Sequence, residues 1–333
     1  MCGGIARLLV RYTLLAVAVV LLNFLLPRLL PGDPLGASAG EGTDAAVPLS
    51  AATRAHLREY YHLDEPLGRQ LTSYLGDLAR GDLGWSITRP APVRTLLLAR
   101  LPWTLGLLLT SVLIAAILGT ALGLVAGWFP GSRRDRLLVS VTAALSALPE
   151  FLIAIGLLLV FSIALGWFPL LGGQTAFAGY ESDAVGRARR VADILWHLTL
   201  PASTLVLSAA SGFLLITRDT TVGIHRQPWL TTARAKGLRE RQVAIGHALP
   251  NLAFPLLTFV VLRLGSVLGG ALVVERVFGV PGLGFLAFQA IQARDYPVLQ
   301  ALFLVSGLGV LAASFLVELA YLRLDPQWGS ASG

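Results

Sequence analysis

Two ionisable side chains stand inside stretches that are otherwise apolar, Glu150 in LSALPEFLIAIG and Arg263 in FVVLRLGSV. Groups of this kind act as counter-ions, as relay points or as receptors for a charged solute. An isolated charge in the core of a bilayer costs on the order of 3 kcal/mol or more, so each needs a partner or a wet cavity. A second concentration of charge lies in TTARAKGLRERQVAIGHALP, where Arg234, Lys236, Arg239 and Arg241 surround Gly237. Basic residues at helical spacing around a glycine suit a solvated topology-fixing helix or a docking surface for an acidic partner.

Catalytic chemistry finds little to work with. A phosphate-binding loop needs GxxxxGK followed by Ser or Thr, because the lysine reaches the outer phosphates. The single lysine, Lys236, follows Ala235 and precedes Gly237. Nucleotide hydrolysis by a Walker-type site in this chain is excluded. His56, His62, His197, His225 and His247 are scattered, with no HExxH zinc helix among them. Serine and histidine from distant segments could still assemble a hydrolase, but nothing selects a pair. The lone cysteine, Cys2, can form neither an intrachain disulfide nor a thiolate metal site.

The elements that must position these residues are membrane helices. The chain has 333 residues, 55% hydrophobic and 14% charged, where soluble domains carry about 25% charged residues. A bilayer core about 30 Å thick takes roughly 20 apolar residues per helix. Six stretches qualify, near 8–30, 101–128, 137–167, 197–217, 251–274 and 299–322. The expected fold is an all-α integral membrane protein with six transmembrane helices, both termini cytoplasmic, and a small outer cap between the first two spans. With that orientation the inner segments carry a net charge of +8 and the outer ones −1, with basic residues about twice as dense inside. Arg7 and Arg11 before an apolar run, with Ala37-Ser38-Ala39 beyond it, also fit a cleaved signal peptide. The run from Leu8 to Leu30 is long for that role, and cleavage would leave five spans, so retention is expected.

The predicted organisation is a first segment and span at 1–30, an extracytoplasmic cap at 31–100, a core of five spans at 101–322 containing a cytoplasmic loop at 218–250, and a tail at 323–333. Within the cap, Pro31-Gly32-Asp33-Pro34 is a turn, Ser50 can cap a helix through Arg54, Leu57 and Tyr61, and Gln70 to Leu78 forms a second short helix ending near Gly81. Gly119, Gly123 and Gly127, and likewise Gly265 and Gly269, recur at four-residue spacing, which lets helix backbones approach closely in lipid. On helices running inside to outside, Glu150 and Arg263 fall at matching depths, about 20 Å along each at about 1.5 Å per residue. They are expected to pair or to line a common path, and a purely structural pair fixing the third and fifth spans remains open beside it.

The loop at 218–250 resembles the EAA loop of ABC-importer permeases: three residues, three more, a glycine, nine residues, then a four-residue ending in Leu-Pro. Thr231-Thr232-Ala233, Gly237 and His247-Ala248-Leu249-Pro250 occupy those places. TARAKGL at 232–238 is similar to the variant of the dipeptide, oligopeptide and nickel permeases. RLLPGDP (28–34), HLDEPLGRQ (62–70), RGDLGWS (80–86), RLPWTL (100–105), HLTLPA (197–202), VFGVPGLG (277–284), RDYPV (294–298) and LDPQ (324–327) continue the likeness in that family's order. Ser314, Glu318 and Gln227-Pro228-Trp229 depart from its pattern. The resemblance is to the B-type subunit of the permease pair. It implies a non-catalytic permease in a prokaryotic cytoplasmic membrane, forming half of the pathway for peptides or a related small solute. Its implied partners are a second permease, two ABC ATPases that bind the ATP and Mg, an extracytoplasmic binding protein, and lipid; no nucleic acid and no cofactor of its own are expected. The resemblance assigns ATPase coupling to Thr232, Ala233, Arg234, Ala235, Lys236, Gly237, Leu238, Leu249 and Pro250. Glu150 and Arg263 are the candidate pathway residues. An ion-driven transporter relaying through Glu150 and Glu318, or a membrane scaffold, are the alternatives from other classes.

Overall fold

A computed structural model of the chain describes residues 2–29, 65–176, 178–180, 183–265 and 270–324. Among the described residues the regular secondary structure is helical, apart from one bridge between Trp85 and Pro92. In chain order the helices are α1 (Cys2–Leu29), α2 (Leu67–Ala79), α3 (Val93–Trp128), α4 (Arg133–Ala147), α5 (Glu150–Leu157), α6 (Ala184–Ile224), α7 (Pro228–Ala235), α8 (Glu240–Val243), α9 (Leu249–Gly265), α10 (Gly270–Phe278), α11 (Leu283–Gln292) and α12 (Tyr296–Leu324). Two π-helical turns, Leu158–Ala164 and Ala244–Ala248, follow α5 and α8. The predicted turn at Pro31-Gly32-Asp33-Pro34, the helix capped by Ser50 and the tail beyond Leu324 lie outside the described residues.

Among the described residues five helices are long and apolar enough to cross a membrane, and up to seven spans result if two bent pairs are each counted as one. The protein is therefore a multi-pass membrane protein. One bent pair corrects the single helix expected over 137–167. α4 and α5 meet at 99°, because Leu148 is extended (ψ 126°) and Pro149 follows it with ψ 143°. Proline has no N–H to donate and pushes its predecessor out of the helical region. The other pair, α10 and α11, bends by 83°, and residues 266–269, within the stretch expected to be helical to 274, lie outside the described residues.

The chain divides into two compact units, Met1–Pro102 with Gly282–Phe315, and Trp103–Pro281 with Leu316–Gly333. In the first, α1 and α12 run antiparallel. Tyr12 meets Phe315 edge to face at 5.4 Å, and Gln300 Nε2 donates to the Asn23 carbonyl at 3.2 Å. α2 rests on the far end of α1, where Asn23 Nδ2 donates to the Tyr74 hydroxyl at 3.1 Å. The loop from Ser86 to Arg89 is gathered on one buried carboxylate, Asp295. It accepts from the Ser86 hydroxyl, from the Ile87 and Thr88 amides at 3.2 Å each, and from Thr88 Oγ1 at 2.8 Å.

In the second unit the glycine stripe sets the packing. A Cβ at Gly119 would lie 2.6 Å from the Ala210 carbonyl, one at Gly123 2.5 Å from that of Leu214, and one at Gly127 2.6 Å from that of Arg218. α3 and α6 thus touch backbone to backbone, and both residue numbers rise together, so the two helices are parallel. α4 is tied to α6 by a two-pronged pair, Arg218 Nε and Nη2 each at 3.1 Å from Asp135.

Candidate coupling and pathway sites

The basic loop folds as a helix, a glycine turn and a second helix. Pro228 begins α7, where its fixed φ suits the first turn and its missing N–H leaves no bond unmade. Leu230 and Ala233, three residues apart, turn inward and are buried with Trp128, Ile224, Val243, Ala244, Ala248 and Leu252. The outward face then carries Thr231, Thr232, Arg234 and Ala235, all exposed.

Gly237 ends the helix at φ +76°. Its N–H donates to the Arg234 carbonyl at 2.9 Å and the Leu238 N–H to that of Ala233 at 3.4 Å. That pair of bonds, with Leu238 packed on the buried cluster, is the Schellman closure that glycine makes without strain. Across the turn Arg234 holds Glu240 through Nε and Nη2 at 2.8 and 3.2 Å, and the Trp128 indole donates to the same carboxylate at 2.9 Å. Both charged side chains are roughly half exposed, so the pair contributes at most about 1 kcal/mol.

The nine residues assigned to coupling therefore divide. Ala233 and Leu238 anchor the turn; Thr232, Arg234, Ala235, Lys236 and Gly237 form one continuous exposed surface. Leu249 and Pro250, both exposed, stand on the first turn of α9. The π turn before them suits Pro250, which has no N–H to return to the preceding helical turn. Trp128 and Glu240, which lock the turn, were not singled out by sequence, since neither belongs to the matched spacing.

Glu150 and Arg263 are brought together, Oε1 to Nη1 at 3.6 Å. A third residue unites them. Ser208 on α6 donates its hydroxyl to Glu150 Oε1 at 2.6 Å, and its carbonyl accepts from Arg263 Nη2 at 3.2 Å. The Arg263 guanidinium also lies 5.3 Å from the centre of the Phe259 ring. Ser208 was not anticipated; a serine in an apolar helix carries no signal of its own. Glu150 begins α5 just past the bend rather than lying within a straight helix, yet Ser208 and Arg263 stand at a similar height above the buried cluster, about 24 and 21 Å from Ile224 and Leu249 along their helices at about 1.5 Å per residue.

Residues 119–330 match the family described as binding-protein-dependent transport system inner membrane component. The oligopeptide transport system permease protein AppB of Bacillus subtilis (strain 168) is 33% identical over 328 residues, 97% of this chain and 99% of that protein. The glutathione transport system permease protein GsiC of Escherichia coli (strain K12) is 34% identical over 308 residues, 92% of each chain; that of Pectobacterium atrosepticum is 35% identical over 311. A glycine-closed helical turn with a basic outer face, long apolar helices around it and relatives aligned almost end to end place this chain in the family of binding-protein-dependent inner membrane transport components, as a permease subunit of an ABC importer.

Proposed function

We propose that the chain is one of two related permeases in a peptide-class importer, coupled to cytoplasmic ATPases through the exposed surface of α7 and the Gly237 turn. The observation that carries this reading is Gly237 itself. It occupies the glycine position of the matched spacing, and its φ of +76° closes a turn whose inner side is buried and whose outer side is open. A rigid turn of this kind transmits displacement where a flexible loop would absorb it. The names of the oligopeptide and glutathione relatives support peptides as cargo.

The same reading has six crossings, both termini cytoplasmic, residues 31–100 outside, and an outer binding protein delivering cargo. The parallel contact of α3 and α6 supports it, because a chain that leaves the end of α3 must cross once more before entering α6 in the same direction. α4, α5 and the π turn after them then make one broken span, and α10 with α11 a hairpin on the outer side. ATP and Mg belong to the partner ATPases. Glu150 and Arg263 line the path between the two permeases.

The test is the importer assembled from this chain, its second permease and two ATPases in proteoliposomes with the loaded binding protein. Gly237→Val is expected to assemble stoichiometrically and lose ATP-driven uptake. Normal uptake by that variant would overturn the coupling role, and a complex without ATPases would overturn the reading as a whole.

A further inference from the structure

Both contacts of the Glu150 carboxylate fall on one oxygen. Oε1 accepts from the Ser208 hydroxyl at 2.6 Å and faces Arg263 Nη1 at 3.6 Å, too far for a hydrogen bond. Oε2 takes part in neither contact. The Glu150 side chain keeps 24% of its surface exposed and that of Arg263 27%. A carboxylate oxygen open at the middle of a span cannot face hydrocarbon, where a polar group without a partner costs several kcal/mol. It faces water or a donor that arrives in water. A pair whose only task was to hold α5 against α9 would close at hydrogen-bond distance and use both oxygens, as Arg218 and Asp135 do a few turns away.

We propose that Glu150 Oε2 is a transient docking point for the ammonium group of the cargo, the free amino terminus of a peptide, while Ser208 and Arg263 hold the carboxylate in place through Oε1. This rests on the peptide-importer reading above. An ammonium offers charge-assisted N–H donors to a carboxylate oxygen. Arg263 sets a positive charge beside the carboxylate. Its long separation keeps the site from closing on itself. Ser211 Oγ donates to the same Ser208 carbonyl at 2.6 Å, which fixes the backbone that carries the holding hydroxyl. A pathway site must attract cargo enough to admit it and weakly enough to release it, and one open oxygen meets that need.

The assembled importer, in proteoliposomes with its binding protein saturated in turn by trialanine and by N-acetyl-trialanine, gives the test. The wild type is expected to move trialanine about tenfold faster than the acetylated peptide, the ratio that one charge-assisted bond supplies. Glu150→Gln keeps the acceptor for Ser208. It is expected to abolish the preference for trialanine over the acetylated peptide, while Glu150→Asp retains part of it. An undiminished preference in Glu150→Gln would overturn the proposal, and so would an equal fall for both peptides, which marks a packing role. Failure of the wild type to move either peptide, with ATP hydrolysis intact, would overturn the peptide-importer reading and this inference with it. That outcome is distinguishable because it appears before any substitution is made.

Discussion

At Gly237 a single dihedral angle decides how α7 ends. A β-branched side chain at φ +76° costs roughly 1–3 kcal/mol of backbone strain, and relief by unwinding would free the last turn of α7. Arg234 works differently, because its pair with Glu240 is exposed. Arg234→Ala is expected to leave assembly intact and to lower uptake by less than about fivefold, measured in the same proteoliposomes. For the polar cluster, Glu150→Arg and Arg263→Glu should each reduce the yield of folded protein in the membrane, since each places two like charges about 4 Å apart. The double reversal should restore much of that yield, and failure to restore it would show that Ser208 rather than charge pairing fixes the geometry. The depth match of Glu150 and Arg263 was legible in the sequence because charges in apolar runs are conspicuous. Ser208 was not, since a hydroxyl can be satisfied by its own helix and so costs little wherever it sits.

Among the elements, α3 and α6 depend on three glycines whose missing side chains are filled by backbone. Gly123→Ala would set a methyl 2.5 Å from the Leu214 carbonyl and is expected to cost about 1–3 kcal/mol, read as a lower thermal midpoint in detergent. Gly106→Ala on the same helix meets nothing within 4 Å and should leave the midpoint unchanged or raise it. Four-residue spacing revealed this contact without revealing its partner, which only the fold supplies. The broken span was visible in Pro149 itself and was overlooked because the apolar run continues across it. A hydropathy window does not see a lost N–H. In the first unit, Asp295→Ala would leave the Ser86 and Thr88 hydroxyls and two amides without their common acceptor. The loop is then expected to become cleavable by chymotrypsin at Trp85, where the parent protein resists.

For the whole molecule the decisive measurement is sidedness. The basic loop around Gly237 and the loop around Gly84 are expected on opposite faces of the membrane, because the charge balance differs by nine between the two sides. A cysteine at Gly84 should react with an impermeant maleimide added outside intact cells, after Cys2→Ser removes the natural thiol. Reaction only after the cells are opened would reverse the orientation. The family was legible from short motifs in a fixed order. The two-unit division was not, because it joins residues 1–102 with 282–315, and proximity of distant segments leaves no mark on composition.

Trp128 gives the basic turn a second attachment, and the consequence is mechanical. A load on α7 enters α6 through Ile224 and α3 through Trp128 at the same moment. Because these two helices touch along three glycines, they act as one thick beam rather than two slender rods, and bending stiffness grows steeply with thickness. A displacement applied at the basic turn would lose little to flexure along them. The sharpest of the described bends, 99° at Leu148 and Pro149, breaks the helical path instead, and Glu150 stands on its far side. A stiff beam beside such a break would turn a small push at one end into a change of angle at the other.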